Sequence, residues 1–248
     1  GGAYPSSPQT ISNQGGAGTI AAGLGFGGSN PVGVQVTTTA EYDGSTWTLG
    51  GAMNTARAAM GSFGTQTAAV SVCGQGYESP IPTASPNCES YNGVSWTDET
   101  GSPTAAQLGA ACGTSTAGLY AGYSPATPTQ TQTWNGTSWT HISPGAFTID
   151  MYAVAVFGTQ SSAVRSGGLP PGTDTSPNLK SADEWDGSTW TATTSKNVGS
   201  ASANGTGTAA LGLVFGGYDP TASPVSYPGD LCEEWAKPDF SAKTVTVS

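Results

Sequence analysis

An all-β chain, folded as a single five-bladed β-propeller of four-stranded antiparallel blades, is what this sequence predicts. Two markers alternate along its 248 residues, each appearing five times with one period. The composition agrees: charged residues are only 9% of the chain, while 37 Gly, 17 Pro and abundant Ser, Thr and Ala oppose helices and suit short strands with tight turns. Seven Trp and nine Tyr at regular positions indicate a packed core rather than disorder.

The first marker is a Gly-Thr turn followed by a small and apolar run. It reads GTIAAGLGFGG (18–28), GTQTAAVSVCGQ (64–75), GTSTAGLYAG (113–122), GTQSSAVRSGG (158–168) and GTGTAALGLVFGG (205–217), at spacings of 46, 49, 45 and 47 residues. The second is an aromatic hairpin: EYDGSTWT (41–48), SYNGVSWT (90–97), TWNGTSWT (133–140), EWDGSTWT (184–191) and a degenerate EEWAKPDF (233–240). A period of roughly forty to fifty residues marks propellers and solenoids.

Each unit divides into four strands. The Gly-Thr turn joins the first two, and Asp-Gly or Asn-Gly, which supply the positive φ of tight hairpins, joins the last two. In the second strand Leu211, Leu213 and Phe215 alternate with Ala210, Gly212 and Val214, as expected of a blade sandwiched between two neighbours. Such units cannot bury two apolar faces alone, so they stack, and a closed ring hides both ends. The whole of 1–248 is expected to form one propeller with blades near 1–56, 57–105, 106–150, 151–198 and 199–248. The terminal KTVTVS (243–248) alternates like a strand, and is expected either to complete the last blade or to latch it to the N-terminal segment.

The formal charge is −10, and Arg57, Arg165, Lys180, Lys196, Lys237 and Lys243 form no cluster. Such a surface repels phosphate, so no nucleic-acid partner is expected. No apolar run is long enough to span a bilayer as a helix, and no membrane insertion is expected. Four cysteines without a CxxC pair, and the single His141, argue against a metal site, and no cofactor is expected. Cys73 closes one predicted strand and Cys88 opens the next; that placement allows either a disulfide between them or two buried thiols. The chain begins with Gly-Gly and shows no signal peptide, consistent with processing or with a longer product.

These residues resemble the kelch-like propeller family: a hydrophobic strand ending in a glycine pair, then an aromatic hairpin closed by Trp. The pair is intact at Gly27-Gly28, Gly167-Gly168 and Gly216-Gly217 and reads as degraded at Gly74-Gln75 and Ala121-Gly122. GTQTAA together with YDGSTWT or WNGTSWT, and EEW before KTVTVS, is similar to kelch-like repeat proteins encoded by marine bacteriophages. That resemblance implies a tail-fibre or other virion-surface component, located on the particle or outside the cell, with other virion proteins as partners.

Enzymatic readings find little support in the residues. DGSTW resembles the sialidase Asp box, but that motif has one more residue between Asp and Gly, and sialidases need three arginines where this chain has two. Kelch-type copper oxidases need several His and Tyr ligands, which His141 alone does not supply. The acidic pairs Asp98-Glu99, Asp183-Glu184 and Glu233-Glu234 could flank a glycosidic bond, but their repeat-linked positions fit strand edges and turns better. Trp47, Trp96, Trp139 and Trp190 read as core rather than sugar platforms, and Asp43, Asn92, Asn135 and Asp186 as turn formers rather than calcium ligands. The chain is therefore expected not to be an enzyme.

In a four-stranded meander the first and third turns share one face. Here those are the tight repetitive turns, so the divergent segments 29–40, 76–87, 123–130, 169–180 and 218–230 gather on the other. They are rich in Pro and punctuated by Tyr, a combination suited to sugars or protein partners. The candidate ligand-binding residues are Tyr77, Glu78, Tyr123, Tyr218, Asp219 and Tyr227. The expected partner is a host-surface glycan or protein; the alternative is a secreted lectin-like carbohydrate-binding propeller.

Overall fold

The computed structural model describes residues 4–5, 11–78, 81–124, 130–143, 145–170, 177–219, 232–237 and 239–242. The chain is all-β: five four-stranded antiparallel sheets, the blades of a five-bladed β-propeller, with one short 3-10 turn at Pro177–Lys180. Sheet one comprises β1 (Gly15–Gly18), β2 (Gly23–Phe26), β3 (Thr39–Tyr42) and β4 (Trp47–Leu49). Sheet two comprises β5 (Gly61–Thr65), β6 (Ala68–Val72), β9 (Cys88–Tyr91) and β10 (Trp96–Glu99), with a separate hairpin of β7 (Gln75–Glu78) and β8 (Ile81–Ala84) inserted between its second and third strands. Sheet three is β11 (Ala110–Thr114), β12 (Ala117–Ala121), β13 (Thr131–Trp134) and β14 (Trp139–Ile142); sheet four is β15 (Ala155–Thr159), β16 (Ser162–Ser166), β17 (Ala182–Trp185) and β18 (Trp190–Ala192). Sheet five, β19 (Asn204–Gly207), β20 (Leu211–Phe215), β21 (Cys232–Ala236) and β22 (Asp239–Ala242), has its four strands before Lys243. The KTVTVS tract lies outside the described residues.

The register corrects one marker. The left-handed glycine that ends each first strand is Gly18, Gly64, Gly113, Gly158 and, in the last repeat, Gly207 rather than Gly205. GTGT offers two Gly-Thr pairs, and the second is the one that meets the turn. A further signature stands five residues earlier: Asn13, Ala59, Leu108, Ala153 and Ser202 are all left-handed, at φ of 54°, 52°, 61°, 51° and 53°. Non-glycine residues adopt that conformation only when their surroundings enforce it. Three of them are held by a backbone bond to the preceding repeat: Ala59 N–H donates to Asn13 O at 3.0 Å, Ala153 N–H to Leu108 O at 3.0 Å and Ser202 N–H to Ala153 O at 2.8 Å.

Two compact units make up the chain, Gly1–Gln107 with Gly113–Gly118 and Trp134–Thr140, and Leu108–Cys112 with Leu119–Thr133 and His141–Ser248. In the first, Leu24, Phe26, Met53, Met60, Ala69, Tyr91 and Trp96 form one core, with Phe26 edge-on to Trp96 at 4.7 Å. Phe63 lies over Gly118, where an added Cβ would meet its ring at 2.3 Å, and edge-on to Trp139 at 6.2 Å. In the second unit, Phe147, Met151, Val154, Val156, Trp185 and Trp190 form one core, and Phe157, Val164, Val214 and Trp235 another. Gly212 and Gly205 receive Phe157 as Gly118 receives Phe63.

One face departs from expectation. Leu211, Leu213 and Phe215 were expected to be sandwiched, yet they are 57%, 39% and 41% exposed; Gly212 and Val214 on the opposite side of β20 are the residues that pack against sheet four.

Buried charge follows the repeat. The second residue of each sheet's third strand of the meander is buried: Ala40, Glu89, Gln132, Asp183 and Glu233. Glu89 accepts the N–H groups of Asn54 (2.7 Å) and Thr55 (3.2 Å) and pairs with Arg57 at 2.9 Å. Glu233 accepts Asn197 N–H (2.7 Å), Asn197 Nδ2 (3.0 Å) and Val198 N–H (2.9 Å), and Asp183 pairs with Arg165 and accepts the Thr148 hydroxyl. Each acid thus ties down the segment that leads into its own sheet. Such pairs are held against their desolvation cost only by full hydrogen bonding.

Candidate binding surface

The connections between the second and third meander strands carry most of the sequence-predicted site residues, and each leaves its sheet through a fixed left-handed exit. The exit pairs are Gly27-Gly28 (φ 59° and 96°), Cys73-Gly74 (59° and 98°), Gly167-Gly168 (65° and 107°) and Gly216-Gly217 (68° and 86°), with Gly122 alone (69°) in sheet three. At Gly27 a Cβ would fall 2.6 Å from Arg57 O, so glycine serves both conformation and clearance. The second exit residue then donates to the segment entering the next repeat: Gly28 to Arg57 O (2.8 Å), Gly74 to Ala106 O (2.8 Å) and Gly168 to Ser200 O (3.0 Å). These three exits are clamped to the segment that follows.

The exit register corrects the assignment of Tyr123. It occupies the second exit position of sheet three, where the other repeats have glycine, and is fully buried. Its ring stacks on Tyr120 at 4.9 Å with planes 2° apart, and its hydroxyl donates to Gln130 Oε1 (3.0 Å) and accepts from Gln132 Nε2 (2.8 Å). It is scaffold, not ligand surface.

Tyr218 and Asp219 are half-buried neighbours just beyond the sheet-five exit. Tyr218 exchanges backbone bonds with Ala201 (2.9 and 3.0 Å) and packs with Tyr152 against Ala153, Leu169, Leu179 and Ala201. Tyr152 was missed at the sequence level; its signal is the repeat position it shares with Ala201, since Tyr152 pairs with Leu169 as Ala201 pairs with Tyr218. Tyr77 and Glu78 lie on β7, opposite Pro82 and Ile81 in the inserted hairpin. Tyr227 lies outside the described residues.

Cys73 and Cys88 are buried free thiols. The register explains why they do not bond: Cys88 pairs with Val72, while Cys73 has entered the left-handed exit and turns its sulfur toward Thr104 O at 3.6 Å. Burial pushes the Cys88 thiol up to about 12, and burial does the same to Cys112. Such thiols stay protonated and unreactive.

The buried arginines and Lys196 are occupied by the scaffold. Both arginines are fully buried in ion pairs, so neither is available to hold a ligand carboxylate. Lys196 donates to the Ser200 hydroxyl, the composition of a Ser-Lys catalytic pair, but both are sealed from solvent. His141 is exposed on β14. Among the described residues no group of three His, Cys, Asp or Glu is placed to hold a metal ion.

The repeated tryptophans divide into two kinds. Trp96, Trp139 and Trp190 are buried, but Trp47 is half-exposed, packed 5.1 Å from both Tyr42 and Tyr4. With Tyr42, Leu24, Ile20 and a glycine floor it lines an open cleft of about 590 Å³ on sheet one.

Five such sheets define the fold as a five-bladed β-propeller. One solved structure, titled "Structure of YjhT", superposes with a TM-score of 0.74 at 12% identity, covering 96% of this chain and 85% of that one. In all, 177 solved chains match, whereas no protein-family model and no curated protein does. Likeness at 12% identity establishes the fold and carries no activity with it.

Proposed function

We propose that this chain is a non-enzymatic component of a bacteriophage particle, a tail-fibre or other virion-surface module that is structural, adhesive or both, and that it binds host-surface glycan or protein through the connections beyond the strand exits. The observation that carries the reading is the division of labour within each repeat. Buried acids and clamped exits make a rigid support, while divergent segments bearing Tyr77, Glu78, Tyr218 and Asp219 follow the exits. Variable loops on a rigid sheet scaffold are the usual arrangement for recognition. The phage assignment rests on the resemblance of the hairpin and Gly-Thr markers, with other virion proteins as partners. Immunogold microscopy with antibody to this chain tests it: label on tails, fibres or capsid surface supports the proposal, and particles without label overturn it.

The second reading, a secreted lectin-like propeller, is favoured by Trp47. A half-exposed indole beside Tyr42 over a glycine floor is a surface on which a sugar ring can stack. Glycan-array binding that Trp47→Ala abolishes, with no particle label, would favour it.

A further inference from the structure

The four regular hairpins use two residue types at one position. Asp43 and Asp186 open the turns of sheets one and four, Asn92 and Asn135 those of sheets two and three, and each is followed by a left-handed glycine: Gly44, Gly93, Gly136 or Gly187. In every case the side-chain Oδ1 accepts the backbone N–H groups two and three residues on. For Asn92 these are Val94 (2.9 Å) and Ser95 (2.9 Å); for Asn135, Thr137 (3.0 Å) and Ser138 (2.9 Å), with the Thr137 hydroxyl at 3.0 Å. For Asp43 and Asp186 the same bonds are tighter, 2.7 to 2.8 Å. Thr46 N–H, then the Ser45 hydroxyl and N–H, hold the Asp43 carboxyl well below the usual carboxylate range, and Thr189 and Ser188 do the same for Asp186.

We infer that Asn92 and Asn135 are sites of spontaneous deamidation, and that the turn accepts aspartate as the product. The Gly93 nitrogen forms a bond to Asn92 Cγ, the Cγ–Nδ2 bond breaks, and the carboxamide nitrogen leaves as ammonia with the proton given up by the Gly93 N–H. Water then opens the resulting cyclic imide, at one carbonyl to aspartate and at the other to isoaspartate. Gly136 and Asn135 follow the same course.

Three features of the turn favour this. Glycine places no side chain beside the attacking nitrogen. Both asparagines are exposed, so water and hydroxide reach them. The two N–H groups on Oδ1 stand where the negative charge of the tetrahedral intermediate develops, as donors of an oxyanion hole do. The aspartate product inherits the hydrogen bonds that Asp43 and Asp186 already make, whereas isoaspartate lengthens the backbone inside a turn closed by the Tyr91 and Trp96 rings, 5.1 Å apart. Conversion of both sites adds two negative charges to a net charge of −10.

The third Asn-Gly step, Asn204-Gly205, supplies the internal control. It lies in β19, with Asn204 opposite Phe215 and Gly205 opposite Val214, in a strand rather than a turn. The folded chain, incubated at mildly alkaline pH and mapped by peptide mass spectrometry with isoaspartate detection, should convert Asn92 and Asn135 at least about tenfold faster than Asn204, a modest part of what aligned oxyanion donors supply. Equal rates at all three sites, or intact Asn92 and Asn135 when a denatured sample converts, would overturn the inference. The variants Asn92→Asp and Asn135→Asp should keep the melting temperature of the parent; a clear loss would show that the turn does not accept the product.

Discussion

Trp96 of sheet two donates its indole N–H to the hydroxyl of Thr39 in sheet one, 2.9 Å away and buried. Trp190 repeats the contact with Thr131 at 2.9 Å. The first residue of β3 and of β13 is therefore coupled to the hairpin Trp of the sheet that follows. The sequence carries the apolar version as well: Ala182 stands where Thr39 does, and Phe240 stands where Trp96 does. A buried donor left without its acceptor is costly, whereas replacing both partners can be nearly neutral.

Thr39→Val should cost about 1–2 kcal/mol, and Trp96→Phe a comparable amount. The double variant should lose less than the sum, by about 1 kcal/mol, because neither orphaned group remains. Urea unfolding of the four proteins measures the coupling; strict additivity would contradict the clasp.

Cys88 holds a threonine position. Cys88→Thr should retain the stability of the parent to within about 0.5 kcal/mol, while Cys88→Ala, which removes a buried sulfur from the packed interior, should lose about 1 kcal/mol. The native protein should also leave Cys73, Cys88 and Cys112 unlabelled by a thiol reagent, and reducing agent should not shift the melting temperature. Rapid labelling of Cys88 would contradict a buried thiol raised to about 12.

Removing Arg57 leaves the Glu89 carboxylate buried with only backbone partners. Arg57→Met should therefore destabilise by about 3–5 kcal/mol, whereas Arg57→Met combined with Glu89→Gln should recover part of that loss. Chemical denaturation measures both.

Lys196 is drawn down from 10.5 to about 8, first by burial and further by Arg165, with Glu233 opposing. Its folded value lies below its unfolded one, so the fold disfavours the charged form. The resulting stability is fully present above pH 10.5 and is lost as pH falls toward 8. The difference of roughly 2.5 units corresponds to at most about 3 kcal/mol. Lys196→Met should flatten that rise relative to the parent when unfolding is followed from about pH 7.5 upward; parallel pH profiles would contradict it.

The period of the two markers carried the fold, because a tight turn and a closing aromatic each declare themselves in residue type. Five sheets appear where five repeats stood, and the glycine of each Asp-Gly or Asn-Gly step takes the positive φ expected of it, while the Asp or Asn before it serves the turn through its side-chain hydrogen bonds. The left-handed positions Ala59, Leu108, Ala153 and Ser202 were invisible, since those residue types state no preference for positive φ. Tyr123 was misplaced because a tyrosine at an exit glycine position reads as the start of a loop. The acidic pairs were half legible: strand alternation sends Asp183 and Glu233 inward and Glu184 and Glu234 to the other side. Which of each pair is buried depends on a register that a doublet does not reveal.

The most direct test of the proposed function is binding of the purified chain to intact host cells or their isolated envelope. The account predicts saturable binding that Tyr218→Ala with Asp219→Ala weakens at least about tenfold, the loss expected of an anchoring contact. Ile20→Ser, in the tight turn joining β1 to β2, should leave it unchanged. Loss of binding on changing Ile20, with the Tyr218 and Asp219 variant unaffected, would contradict the assignment of recognition to the segments beyond the exits.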